Sequence, residues 1–142
     1  MIYLSNSVRK HRIDERALIR GTRRMLAAAG VPRASLSIAL VGDRRMRRLN
    51  RMHRGKDRAT DVLSFGGSNG PEGLLGDVVI SLDRAARQAA AYDATLDAEV
   101  RRLLIHGVAH LRGHDHVTAR EAAKMLRLER RLARAIGLRW PY

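Results

Sequence analysis

Residues 95–112 constrain the fold more than any other stretch, because they read as one helix with two incompatible sides. Leu96, Val100, Leu103, Leu104, Gly107 and Val108 lie on or near a single stripe at helical spacing, which must be covered by other elements. His106 and His110, four residues apart, project from one face of the same helix, one turn above the other. Gly113 then sits where a left-handed residue could end the helix and turn the chain back. Of the six histidines in the chain, four fall within HGVAHLRGHDH, residues 106–116.

The remaining segments supply candidates for the covering elements. Residues 1–4 (MIYL) read as a short strand, and Asp14 opens a helical segment that ends at Gly30, with Pro32 beyond it. SLSIALVG, 35–42, alternates like a strand, and Asp43 is placed to cap a second helix, RRMRRLNRMHR. DVLSF, 61–65, and GDVVIS, 76–81, are two further strand candidates, joined by a glycine-rich loop without a phosphate-loop pattern. From Asp83 the pattern is helical: 83–92, about 95–112 and about 118–136. A small sheet of about four strands with about five helices, not in strict βα alternation, predicts a single α+β domain over 1–142. Its metal site would lie at the C-terminal end of a core helix.

Composition narrows the function class. With 45% hydrophobic residues and three prolines, the 142-residue chain can bury a core, and disorder is excluded. The absence of cysteine rules out disulfides and thiolate metal sites. No apolar run approaches the roughly 20 residues of a membrane span. The N-terminal MIYLSNSVRKHRID has no cleavable apolar core, so a cytoplasmic protein without a membrane partner is expected. The net charge of +14, nearly all of it arginine, points to a phosphate-rich partner: RNA, DNA or a ribosomal surface. Aromatics at 4% argue against a base-stacking platform and favour backbone contact.

The histidines fit a metal. Two imidazoles from one helix need a third ligand to hold a catalytic zinc, with the fourth position left to water. His116 can return after the turn at Gly113, giving H-x-x-x-H-x-x-G-x-x-H. His114 competes for that role, but a two-residue shift in a turn would aim it differently. The expected ligands are therefore His106, His110 and His116, holding one zinc ion per chain. All-imidazole ligation suits zinc, although ligand type also admits nickel, copper or iron. Zinc peptidases of this spacing place Glu after the first His as general base, and here that position is Gly107. A peptidase reading thus loses its base. Gly107 fits either close helix packing or ligand approach.

At this point the chain resembles the YbeY endoribonuclease family. HGVAHLRGHDH is similar to the family's His-Gly-x-x-His-Leu-x-Gly-x-Asp-His run. LNRMHRGKDRATDVLSFGG resembles its second block, an Arg ahead of Thr-Asp-Val-Leu-Ser-Phe, and LGDVVIS, 75–81, resembles its third. Met125 and Glu129 fall where the family's last helix carries such residues. The resemblance spans roughly 36–136. It departs at Gly66, where the family often has Pro, and in the short loop up to Gly76, which bears on loop shape more than on ligands.

The resemblance implies an α+β domain, a zinc ion on His106, His110 and His116, and a single-strand-specific endoribonuclease. Its setting would be ribosomal RNA maturation, at the 3′ end of the small-subunit RNA, with a part in ribosome quality control. RNA and the small ribosomal subunit would be the partners, ribosomal proteins among them. Arg54 is implied as the functional arginine of the cleft; position alone does not prefer it to Arg51 or Arg58. Zinc-bound water, acidified to a pKa of about 7, would be the nucleophile, and an arginine would stabilise charge on the phosphate. Asp115 could orient an imidazole or cap the next helix. Asp61 and Asp77 read as structural hydrogen-bonding groups more than proton carriers, and His11 and His53 as surface residues. Two other readings differ in class: an rRNA-binding biogenesis factor with a structural metal, and another metal-dependent hydrolase, which Gly107 disfavours.

Overall fold

In a computed structural model, residues 1–67, 73–114 and 117–140 are described. The elements run β1 (Ile2–Asn6), α1 (Glu15–Ala28), β2 (Ser35–Val41), α2 (Asp43–Arg54), β3 (Val62–Gly66), β4 (Leu74–Ser81), α3 (Leu82–Ala91), α4 (Leu96–Leu111) and α5 (Ala119–Ala135). They make the expected α+β domain. The four strands form one sheet in the order β1-β2-β4-β3, with β1, β2 and β4 parallel and β3 antiparallel at the edge.

Alternation along the strands decides which helix covers which face. Leu36, Ile38 and Leu40 of β2 and Val78 and Ile80 of β4 point into the larger core, shared with α1, α3, α4 and α5. Val41, Leu63 and Val79 point the other way, onto Met46 and Leu49 of α2. The site-bearing helix and the arginine-rich helix thus lie on opposite faces and meet only around the edge strand β3. Asp77 adjoins Val78, which faces α4, so it points to the face away from the histidines.

α4 is buried more broadly than its predicted stripe, with Ile105 and Ala109 fully enclosed as well. It is held between the sheet on one side and its neighbours α3 and α5 on the other. Burying Leu103, Leu104 and Ile105 contributes about 2 kcal/mol each, which outweighs the roughly 1 kcal/mol cost of glycine inside a helix.

The helix ends follow local chemistry. Asp14 caps α1 by accepting the Ala17 N–H at 3.0 Å, as expected. Asp43 does not cap α2: Gly42 holds that position without a side-chain bond, and Asp43 is the first helical residue. The Asp43 carboxylate instead accepts from the Ser81 hydroxyl and Arg87, both at 2.8 Å. Thr118 caps α5, its hydroxyl accepting the Glu121 N–H at 3.1 Å. His11 is no surface residue either. It is half-buried, with its Nε2 3.0 Å from Asp83, because the chain after β1 folds over the start of α3.

A candidate metal and nucleic-acid cleft

α4 ends as the sequence requires. Gly113 has a φ of +85°, its N–H meets the His110 carbonyl at 2.9 Å, and the His114 N–H meets the Ala109 carbonyl at 3.1 Å. This is the paired bonding of a glycine-terminated helix, so the chain reverses directly after His110. His114 is tied into the turn through its backbone and is not among the residues lining the cleft described next. His116, the expected third ligand, and Asp115 lie outside the described residues.

The two expected ligands that are described, His106 and His110, converge. Their Nε2 atoms are 3.2 Å apart, with the rings edge to face. Two nitrogens bound at 2.0–2.1 Å to one tetrahedral ion stand about 3.3 Å apart, so the pair fits a shared metal. His106 Nδ1 is 2.9 Å from Glu129 Oε2, and the Glu129 side chain is only 11% exposed. A carboxylate in that position accepts a hydrogen bond from the Nδ1–H tautomer, which leaves the His106 Nε2 lone pair toward the cleft. Glu129 sits on the otherwise apolar stripe of α5, between Met125, Leu128 and Leu132. That charged interruption of an apolar face was the available signal for its role. Among the described residues no group of three metal-ligating side chains occurs.

Gly107 explains both the approach and the missing base. A Cβ there would stand 2.9 and 3.1 Å from the two methyl carbons of Val78. Its position faces the sheet at the wall of the cleft, so any side chain there would first strike Val78 of β4. Gly107 also lines the cleft beside His106 and His110, so close packing and access to the site both follow from its missing side chain. Gly76 allows close packing in the same way from below, where a Cβ would overlap the Phe65 carbonyl and Leu111.

The histidines open into a cleft of about 720 Å³ at the β3 edge. Four cations line it, Arg54, Lys56, Arg58 and Arg102, against a single described carboxylate, Asp61. Arg54 is the last residue of α2. Its Nη2 donates to the Ser64 carbonyl at 2.8 Å, and its guanidinium carbon lies 5.3 Å from the Phe65 ring centre. Phe65 also receives the His53 ring at 5.0 Å. The Ser64-Phe65 pair therefore fixes where this arginine can point. Arg51 does not line the cleft, whereas Arg58 does.

Asn50 pins the segment between α2 and β3. It is buried and donates to the Arg58 carbonyl at 2.9 Å. Arg102, one turn before His106, is held by buried Glu99 through two bonds of 2.8 and 2.6 Å. Neither residue was singled out from the sequence, although Asn50 and Glu99 are polar residues at core-facing positions. Asp61 accepts the Val62 N–H at 2.8 Å and Gln88 Nε2 at 3.2 Å, which is structural work.

A family model described as Endoribonuclease YbeY matches residues 3–137. The chain belongs to the YbeY family. A relative named Endoribonuclease YbeY from Anaeromyxobacter sp. (strain Fw109-5) is 56% identical over 115 residues, 80% of this chain and 60% of its own length. One from Aquifex aeolicus is 43% identical over 122 residues, covering 84% of this chain and 78% of that one. The chain spans 60% of the length of the Anaeromyxobacter relatives and 37% of one from Myxococcus xanthus. The solution structure of TM1509 from Thermotoga maritima shares the fold, with a TM-score of 0.67 at 21% identity, over 96% of this chain and 89% of that one.

Proposed function

We propose that this chain is a metal-dependent endoribonuclease that cuts single-stranded RNA in the cytoplasm. Its setting is maturation of the small-subunit ribosomal RNA 3′ end and ribosome quality control, with ribosomal proteins as neighbours. One zinc ion would be held by His106, His110 and His116. The observation that carries this reading is the pair of Nε2 atoms 3.2 Å apart, opening into a cleft that also receives Arg54. The names of the family relatives support the reaction class.

When bound, the ion would supply Lewis acidity and an acidified water near neutral pH. The chain's own groups divide the remaining work. Glu129 orients His106 and fixes its tautomer. Arg54, anchored on Ser64 and Phe65, turns its other N–H donors to a phosphate and stabilises charge developing there. Lys56 and Arg58 draw neighbouring phosphates into the same cleft.

The test combines metal analysis with cleavage of single-stranded RNA by wild type, His110→Ala and Arg54→Ala. About one zinc per chain is expected in the wild type, with cleavage lost in His110→Ala and reduced on the order of 10²–10³-fold in Arg54→Ala. Equal cleavage by all three proteins would expose a contaminating nuclease and remove the enzymatic reading. RNA binding without cleavage under any metal would favour the biogenesis factor.

A further inference from the structure

α2 carries a feature that extends well beyond the cleft. Arg44, Arg47, Arg48, Arg51 and Arg54 recur at i, i+3, i+4, i+7 and i+10, and all five are exposed. Arg44, Arg48 and Arg51 form a ridge on the side turned away from Met46 and Asn50, the buried residues of the helix; Arg47 flanks it, and Arg54, one turn after Asn50, carries the row round to the cleft. The ridge is about 15 Å long at 1.5 Å per residue. One end is Arg54 in the cleft; the other meets a groove of about 750 Å³ whose cations include Arg9, Lys10 and Arg45.

Arg47 is paired with Asp57, and Lys10 with Asp83. Arg9, Arg44, Arg45, Arg48 and Arg51 make no ion pair among the described residues. Like charges three and four apart on a helix cost a few tenths of a kcal/mol each. Asp43 is the sole acidic residue of α2. A partner carrying regularly spaced negative charge would offset that repulsion.

We propose that this ridge and groove grip the phosphate backbone of single-stranded RNA on one side of the scissile bond and guide the strand along α2 into the cleft. The identity of the strand rests on the endoribonuclease reading. Arginine forks suit phosphate oxygens bidentately, and no Trp, Tyr or Phe lies on the ridge. Recognition is therefore of backbone and not of base, and the aromatic anchor of a protein interface is lacking.

The test measures binding of a fluorescein-labelled RNA 16-mer and 4-mer by anisotropy across a salt series, recovering the RNA afterwards to check that it is intact. Wild type is compared with the triple variant Arg44→Gln/Arg48→Gln/Arg51→Gln. A control, Arg20→Gln/Arg23→Gln/Arg24→Gln on α1, removes the same charge elsewhere. Circular dichroism verifies that all three are folded. For the 16-mer, the slope of log K against log salt should flatten by about 2 in the ridge variant, at about 0.7 for each phosphate of a single strand that is no longer neutralised. The control should keep the wild-type slope, and affinity for the 4-mer should stay within about twofold in every protein, since it can be held by the cleft alone.

An unchanged slope in the ridge variant, an equal loss in the control, or an equal loss for the 4-mer would overturn the proposal. So would intact RNA affinity with lost binding of poly-glutamate, which would assign the ridge to an acidic protein. The readout is binding, so a wild type that binds but never cuts counts against the endoribonuclease reading, while the slopes still decide the ridge.

Discussion

Replacing Gly107 with alanine should misplace the histidines by a calculable amount. The new Cβ would stand 2.9 and 3.1 Å from the two methyl carbons of Val78, which is fully buried at the centre of the sheet. Carbon atoms pack at about 3.5–4.0 Å, so α4 must lift by roughly 0.5–1 Å, because neither the strand nor a valine rotamer can yield. Overpacking of this size costs about 1–3 kcal/mol, and the better helix propensity of alanine returns up to about 1. The net loss is about 1–2 kcal/mol, or a Tm lower by a few degrees for a domain of this size. Activity should fall further than stability. His106 and His110 ride on α4, whereas Arg54 is anchored to β3 through Ser64, so lifting the helix separates the two halves of the site. A misplacement near 1 Å costs about 10²-fold in rate. Thermal denaturation and RNA cleavage by Gly107→Ala, Val78→Ala and the double variant form the assay. Val78→Ala removes both colliding carbons, so in the double variant the alanine at 107 should cost little more than Val78→Ala alone. Wild-type cleavage by Gly107→Ala, or strictly additive effects in the cycle, would refute the packing account.

Three further changes probe the supports of the site. Glu129→Gln should keep the fold while weakening zinc affinity about 10–100-fold in a chelator competition, and unchanged affinity would remove Glu129 from the site. Arg102→Leu leaves the 3% exposed Glu99 without its two-bond partner and should cost about 3 kcal/mol in urea unfolding, partly recovered by adding Glu99→Gln; a stable single variant would contradict this. Asp83 accepts from the Asp43 N–H, Lys10 and His11, and these bonds, the Asp43 N–H foremost, hold its pKa down to about 2. A carboxylate held below its unfolded value of about 3.9 adds stability that is complete above that pH and fades as pH falls toward 2. Asp83→Asn should therefore cost about 1–2 kcal/mol at pH 7, after allowing for solvent screening, and little at pH 2; a difference constant across that range would refute the assignment.

Much of this architecture was legible in the chain. Every strand and helix was readable to within a few residues, because buried positions recur at the period of the element and capping and turn residues mark its ends. The turn at Gly113 and the joint projection of His106 and His110 follow from helix geometry and one left-handed residue, which are local properties. What local sequence could not decide was which distant groups complete the site. Whether Asp43 or Gly42 occupies the cap depended on Asp83, forty residues on, taking the Asp43 N–H. The anchorage of Arg54 depended on β3 placing Ser64 and Phe65 beneath it, since every arginine of α2 is locally alike. Glu129 and Gly107 acquire meaning only when α5 and β4 pack against α4, one turning a carboxylate onto an imidazole, the other making room for the sheet. Periodicity reports which face of an element is buried; only the packing of elements far apart in the chain determines what that face, or its polar exceptions, will touch.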